Sequence, residues 1–267
     1  MLSDRSILRR LPTGLDQKQL VFLDGIRHAA EITWLAYVRL ETTLTWLVDN
    51  PSDNSPNSDA YTSAFMDAWS AVDAIDRFRS LWKLLPGLQF SENGVGEPSF
   101  ENLSRPIRDI RNVSDHLAQR AEYVAASGNP VMGLLTWVTY PPDSRNEIYC
   151  CVLAPGTRKK TGWKLVNPIG LDFISTVAQR TGMIHLAAGE HQAHLSAMIP
   201  AMQVRIRELE SGLEDWIGTV GLEGNQAGAD FFIALKGTIG AGPPEQLQGE
   251  GEPIAEPDSP RVPASAG

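Results

Sequence analysis

The chain has 267 residues, 42% of them hydrophobic, and a formal net charge of −9. That length and apolar content allow a sizeable core and exclude disorder as the default state; the acidic balance excludes bulk, nonspecific attraction to nucleic acid. No apolar run reaches the roughly 18 to 20 residues of a membrane helix, because Asp24, Arg39 and Asp76 interrupt the candidates.

The first ten residues, M-L-S-D-R-S-I-L-R-R, lack the apolar segment that drives export, so a soluble, cytoplasmic protein is expected. Leu23, Ile26, Ala30, Trp34, Tyr37, Leu44 and Val48 follow helical spacing up to the turn-rich N-P-S-D-N-S-P-N-S-D. A second helix carries Phe65, Ala68, Val72, Ile75, Phe78, Trp82 and Leu85, with Ser58 or Asp59 as its cap and Pro86-Gly87 as its stop. After a Gly-rich loop, Ser104 can cap a third helix, with Pro106 near its start, that runs to about Ser127-Gly128. Its apolar stripe is Leu103, Ile107, Ile110, Val113, Leu117, Ala121 and Val124.

The pattern then changes. V-M-G-L-L-T-W-V-T-Y and E-I-Y-C-C-V-L are short and rich in β-branched and aromatic residues, and P-P-D-S-R-N separates them: a hairpin. D-F-I-S-T-V-A-Q and M-I-H-L-A-A, joined across R-T-G, read as a second hairpin. Adjacent Cys150 and Cys151 cannot close a disulfide without severe distortion, and they offer no separated ligand pairs for zinc; reduced thiols are expected. Helical spacing resumes with Ile199, Met202, Ile206, Leu209, Leu213 and Trp216, where Ser196 can cap and Pro200 falls within the first turn.

The expected fold is therefore α+β and mainly α. It is an antiparallel bundle of about four long helices with a small antiparallel sheet inserted between the third and fourth. Residues 1–239 form one domain with the β insertion at about 131–195, and the Pro/Gly-rich residues 240–267 form a disordered tail.

At about 100° per residue, Arg105, Arg108, Asn112 and His116 share one polar strip of the third helix, extended by Gln119 and Tyr123, with Arg111 at its edge. Guanidinium forks fit phosphate oxygens, and an imidazole exchanges protons near neutral pH, so the strip suits a phosphodiester. The plainer alternative is a solvated helix face on which Asp109 and Asp115 pair with the arginines.

Arg111-Asn112-Val113-Ser114-Asp115-His116 resembles the R-x(4-6)-H motif of HEPN domains, which usually place a polar residue, often Asn, directly after the Arg. HEPN domains are helical bundles. The tyrosine that one toxin subgroup carries two places after the histidine is replaced by Ala118. The resemblance implies a metal-independent endoribonuclease of a bacterial stress or defence system, acting as a homodimer with the motifs of two protomers facing across a cleft. His116 would be general acid or base, Arg111 would stabilise phosphate charge and Asn112 would orient it, while Arg105, Arg108 and Tyr123 would bind RNA phosphate. It calls for no cofactor and no metal. Some HEPN domains are noncatalytic, and the alternative is an interaction or dimerisation module with a protein partner. A second match, Arg180 to His185, spans the expected R-T-G turn and is set aside.

Elsewhere, Glu190, His191 and His194 beside His185 suggest metal ligands, but residues three apart in a strand face opposite ways, and solvated strand-end histidines are expected instead. Arg158, Lys159, Lys160 and Lys164, with Trp163, suit an anionic partner or an ordinary solvated loop. Asp73, Asp76, Arg77 and Arg79 lie on the polar side of the second helix, with Asp73 and Arg77 spaced for an ion pair. There is no P-loop, G-x-G-x-x-G or G-x-S-x-G motif to support nucleotide hydrolysis or serine hydrolase chemistry.

Overall fold

The computed structural model describes residues 1–51, 58–86, 100–116, 122, 132–144, 147–155, 179–220, 230 and 232–234. The chain divides into two units, Met1–Ala229 and Asp230–Gly267, and every regular element below belongs to the first. After a 3-10 turn at Ile7–Arg9 come α1 (Gln17–Asp49), α2 (Ser58–Leu84) and α3 (Phe100–Asp115). Strands β1 (Leu134–Thr139), β2 (Tyr149–Leu153), β3 (Thr181–Ala188) and β4 (His191–His194) follow, and then α4 (Leu195–Val220). The protein is α+β, mainly helical, with a small four-stranded antiparallel sheet. Among the described residues, no helix is long and apolar enough to cross a membrane.

Helix α1 starts on a reciprocal cap: Gln19 N–H donates to Asp16 Oδ1 at 2.8 Å, and Asp16 N–H donates to the Gln19 side chain at 3.2 Å. It ends at Asn50, whose backbone and side-chain nitrogens both donate to the Trp46 carbonyl. The expected apolar positions Leu23, Ile26, Ala30, Tyr37 and Leu44 are buried against α2, α4 and β3, but Trp34 faces outward. On α2, Phe78 is fully buried, stacks on Trp82 at 5.8 Å and meets the edge of Phe100 from α3 at 5.6 Å, fixing the α2–α3 contact. Ile107, Ile110 and Val113 of α3 and Met202, Ile206, Leu209 and Leu213 of α4 are likewise buried.

The strand order is β2-β1-β3-β4, every neighbouring pair being antiparallel. The expected first hairpin is β1–β2, with Leu135 opposite Leu153 and Thr139 opposite Tyr149. Leu135, Trp137, Ile184, Leu186 and Ala188 enter the main core, and β3 and β4 pack on α3 while β3 also meets α1 and α4. By alternation, Thr136, His185 and His194 form a row on the opposite face.

Three expectations need correction. The R-T-G segment is not a turn: Thr181 and Gly182 belong to β3, opposite Thr139 and Val138. The register slips between Thr136 and Val138, and Met183 takes up the extra residue at φ 49°. The second proposed hairpin strand, 172–179, lies outside the described residues except for Gln179. Ser104 does not cap α3, which begins four residues earlier at Phe100; its buried hydroxyl donates to the Glu101 carbonyl at 3.2 Å, and Pro106 lies inside the helix. Ser196 does not cap α4, which follows β4 directly at Leu195, and Pro200 lies beyond the first turn. The Ser196 hydroxyl instead accepts from Ile184 N–H at 2.9 Å and from the Tyr37 phenol at 3.0 Å, tying α4 to β3 and α1.

Beyond His116 the expected third helix, apart from Glu122, and the tail 240–267 also fall outside the described residues.

Candidate functional site

The polar strip of α3 is solvent-facing at Arg105, Arg108, Asn112 and His116, as its helical angles require. His116 sits in the turn that ends α3, its N–H donating to the Asn112 carbonyl at 3.3 Å. Tyr123 and Gln119 are outside the described residues.

Arg111 departs from the strip. Its side chain, 34% exposed, turns toward α2: Nη1 donates to Asp76 Oδ2 at 2.6 Å, Nε lies 3.1 Å from Asp73 Oδ1, and Asp115 Oδ2 is 3.8 Å away. The bond to Asp76 raises the Arg111 pKa further above its ordinary value. Asp73 also binds Arg77 at 2.7 Å, the pair expected from spacing. Asp76 and Arg79 are not on a solvated side of α2; both are buried at the α2–α3 junction, 3.7 Å apart. Arg79 Nη2 bridges on to Glu101 at 2.7 Å, and Lys83 reaches the same carboxylate at 3.3 Å. Burial opposes ionisation of Glu101, but the bonds and charges of Arg79 and Lys83 outweigh it and hold the carboxyl below its ordinary value.

The consequence is chemical. A guanidinium bound to a buried carboxylate does not offer its fork to a phosphate without first giving up that bond, and breaking a buried pair from one side costs about 3–5 kcal/mol. Of the residues drawn together by the motif, Asn112 and His116 face solvent and Arg111 is drawn into a structural ion network.

A second constellation escaped the sequence reading. His185 and His194 are cross-strand partners whose rings stack at 4.1 Å and 9°. Burial, with His194 beside it, pushes the His185 pKa down to about 4, and burial also lowers that of His194. His185 Nδ1 bonds the Gln192 amide at 3.1 Å, while the Nε2 of each ring and the neighbouring Thr136 hydroxyl are buried without a hydrogen-bond partner. His191 is placed opposite Ala188, so it and His194 do diverge as strand geometry requires; the signal missed was that His185 lies opposite His194. His185 and His194 are therefore not solvated strand-end histidines, whereas Glu190 is exposed in the β3–β4 turn.

Cys150 and Cys151 are free thiols, and burial pushes Cys151 up to about 11, well away from a reactive thiolate. The basic stretch at 158–164 lies outside the described residues. Arg180 of the second motif match precedes β3 and binds Asp49 through its guanidinium, with Nη1 at 2.8 Å from Oδ2.

Comparison with protein-family models, with curated proteins and with solved structures yields no match.

Proposed function

We propose that this chain is a noncatalytic helical module that pairs with a second copy of itself through the outward face of α1. The observation that carries this reading is the run of large apolar side chains on that face: Ile32, Leu35, Val38 and Trp46 are all exposed, Leu35 to 59%. Exposed apolar residues on one face of a single long helix mark an association surface, and Leu35 near its middle and Trp46 in its last turn are suited to anchor it. A 33-residue helix is about 50 Å long, enough to contribute a large part of the roughly 800 Å² that each partner of a standard interface buries. In this reading the helices form an antiparallel bundle in the cytoplasm, with the sheet between the third and fourth helices packed on one end. The test is sedimentation of the full chain beside Leu35→Glu. A concentration-dependent dimer that the substitution converts to monomer is expected; a wild-type monomer at all concentrations, or an unaltered dimer in the variant, would refute it.

The second reading is the HEPN-like endoribonuclease, supported by the exposure of Arg105, Arg108, Asn112 and His116 on one strip of α3. It requires Arg111 to leave Asp73 and Asp76, and it requires two α3 strips to face each other across a dimer. A dimer paired through the outward face of α1 serves the first reading, whereas this one needs pairing through α3. Purified protein incubated with mixed RNA in EDTA, beside His116→Ala, decides it: cleavage abolished by the substitution establishes the nuclease, and absence of cleavage removes it.

A further inference from the structure

The outward face of α1 carries a pattern as well as apolar area. At about 100° per residue, its exposed apolar residues Val21, Ile32, Leu35 and Trp46 fall within a sector of about 80°. The exposed polar residues Asp24, His28, Arg39 and Thr42 share that sector and fill the steps of three and four between them. Together they make one continuous seam, about 38 Å long from Val21 to Trp46. Ile32 and Leu35 stand at its centre, Val21 and Trp46 at its ends, Asp24 in its first half and Arg39 in its second.

The polar members already have partners within the chain. Asp24 binds Arg27 at 2.9 Å, and Arg39 reaches Asp67 at 3.3 Å. His28 Nε2 accepts from Arg27 at 2.7 Å, and the Thr42 hydroxyl donates to the Val38 carbonyl at 2.8 Å. Even so, the Asp24 and Arg39 side chains each stay 52% exposed, so both present charge to whatever covers the seam.

That layout has a direction. When a second copy lies antiparallel with its Leu35 opposite Ile32, the partner's Trp46 falls opposite Val21, and all four apolar positions meet apolar ones. Arg39 then lies opposite the partner's His28, one turn from the partner's Asp24. Sliding the pair by seven residues sets Ile32 against the partner's Thr42 and Leu35 against the partner's Arg39. Parallel, in-register pairing stacks Arg39 on the partner's Arg39 and Asp24 on the partner's Asp24, and facing like charges oppose association.

We infer that two copies pair antiparallel through this seam, Ile32 of each packed on Leu35 of the other and Arg39 of each reaching the partner's Asp24. The inference rests on the reading of α1 as a self-association face and adds its orientation and register. A two-fold axis across α1, between Ile32 and Leu35, closes the assembly at two copies. Trp46 seated on the partner's Val21 anchors each end.

Two measurements on the full chain test it. In sedimentation, Arg39→Gln removes an exposed charge. The antiparallel pair loses its attraction to the partner's Asp24 and should dissociate several-fold more readily, whereas a parallel pair would tighten by shedding the contact between two arginines. In pulsed electron paramagnetic resonance, a spin label on Lys18→Cys, with Cys150→Ser and Cys151→Ser to leave one thiol, reads the orientation directly. Lys18 is exposed near the start of α1, so the two labels of an antiparallel dimer should lie about 45–50 Å apart, against less than about 20 Å in a parallel one. A dimer with the short label distance, or one that Arg39→Gln tightens or leaves unchanged, would overturn the antiparallel register while leaving self-association through α1 in place. A wild-type chain that is monomeric at all concentrations would overturn both.

Discussion

Mild acid should loosen this fold through the stacked histidines before most carboxylates titrate. Burial holds the His185 pKa at about 4 in the folded chain, against 6.5 for the free side chain. Between those values the unfolded chain binds a proton that the folded ring refuses. The stabilisation is therefore complete above pH 6.5, falls as the pH drops through 5, and is lost by the time the pH is below 4. That gap corresponds to about 3 kcal/mol in full, of which about 2 kcal/mol has gone by pH 5; partial solvent access to the ring reduces the pH 5 figure to about 1–2 kcal/mol. His194 acts in the same direction, because burial lowers its pKa too. The assay is urea unfolding near pH 7.5 and near pH 5 for the wild type and His185→Gln, which removes one titrating ring while keeping a polar side chain on β3. The wild type should lose about 1–2 kcal/mol more than the variant between the two conditions. Equal losses would show that the imidazole is solvated in the folded protein and would undo the reasoning.

Four further substitutions probe the scaffold. Gly133, at φ +82° before β1, leaves no space for a side chain, since an added Cβ would lie 2.6 Å from the Ala187 carbonyl oxygen. Gly133→Ala should cost about 2 kcal/mol or more, and a melting temperature matching the wild type would refute the strain argument. Ser196→Ala leaves the Ile184 N–H and the Tyr37 phenol without their shared acceptor and should cost about 1–3 kcal/mol in urea unfolding; a loss within error of zero would mean that water replaces the hydroxyl. Asp76→Asn strips the buried partner from Arg111 and Arg79 and should cost about 3 kcal/mol, more than Arg111→Met, which removes only a partly exposed group; the reverse order of stabilities would contradict the network as described.

The parts of the fold legible in the sequence are those governed by local periodicity. Phe65, Ala68, Val72, Ile75 and Phe78 recur at steps of three and four because one side of α2 is buried throughout, and that regularity needs no knowledge of the neighbour. Caps were misread because the capping residue types also serve other ends. Ser104 and Ser196 have the chemistry of N-caps, yet one bonds the preceding turn of its own helix and the other receives donors from β3 and α1. Likewise, Gly182 suggests a turn, but the extra residue at Met183 keeps the strand paired on both sides of it.

The same limit explains the candidate site. Helical angles put Arg111 at the edge between the apolar and polar sides of α3, a position equally compatible with solvent and with a neighbouring helix; which one it meets depends on where α2 lies around α3. A sequence signal did exist on the other helix. Asp73 and Asp76, three apart, flank the apolar stripe of α2 as Arg111 flanks that of α3, so docking the two stripes brings opposite charges together at the seam. No equivalent signal located the histidine pair. His185 meets His194 only because the β3–β4 turn at Gly189-Glu190 sets a particular register, and a one-residue slip would send one ring to the core face and the other outward. Their mutual burial is thus a property of strand pairing, fixed by a tight turn several residues from either ring.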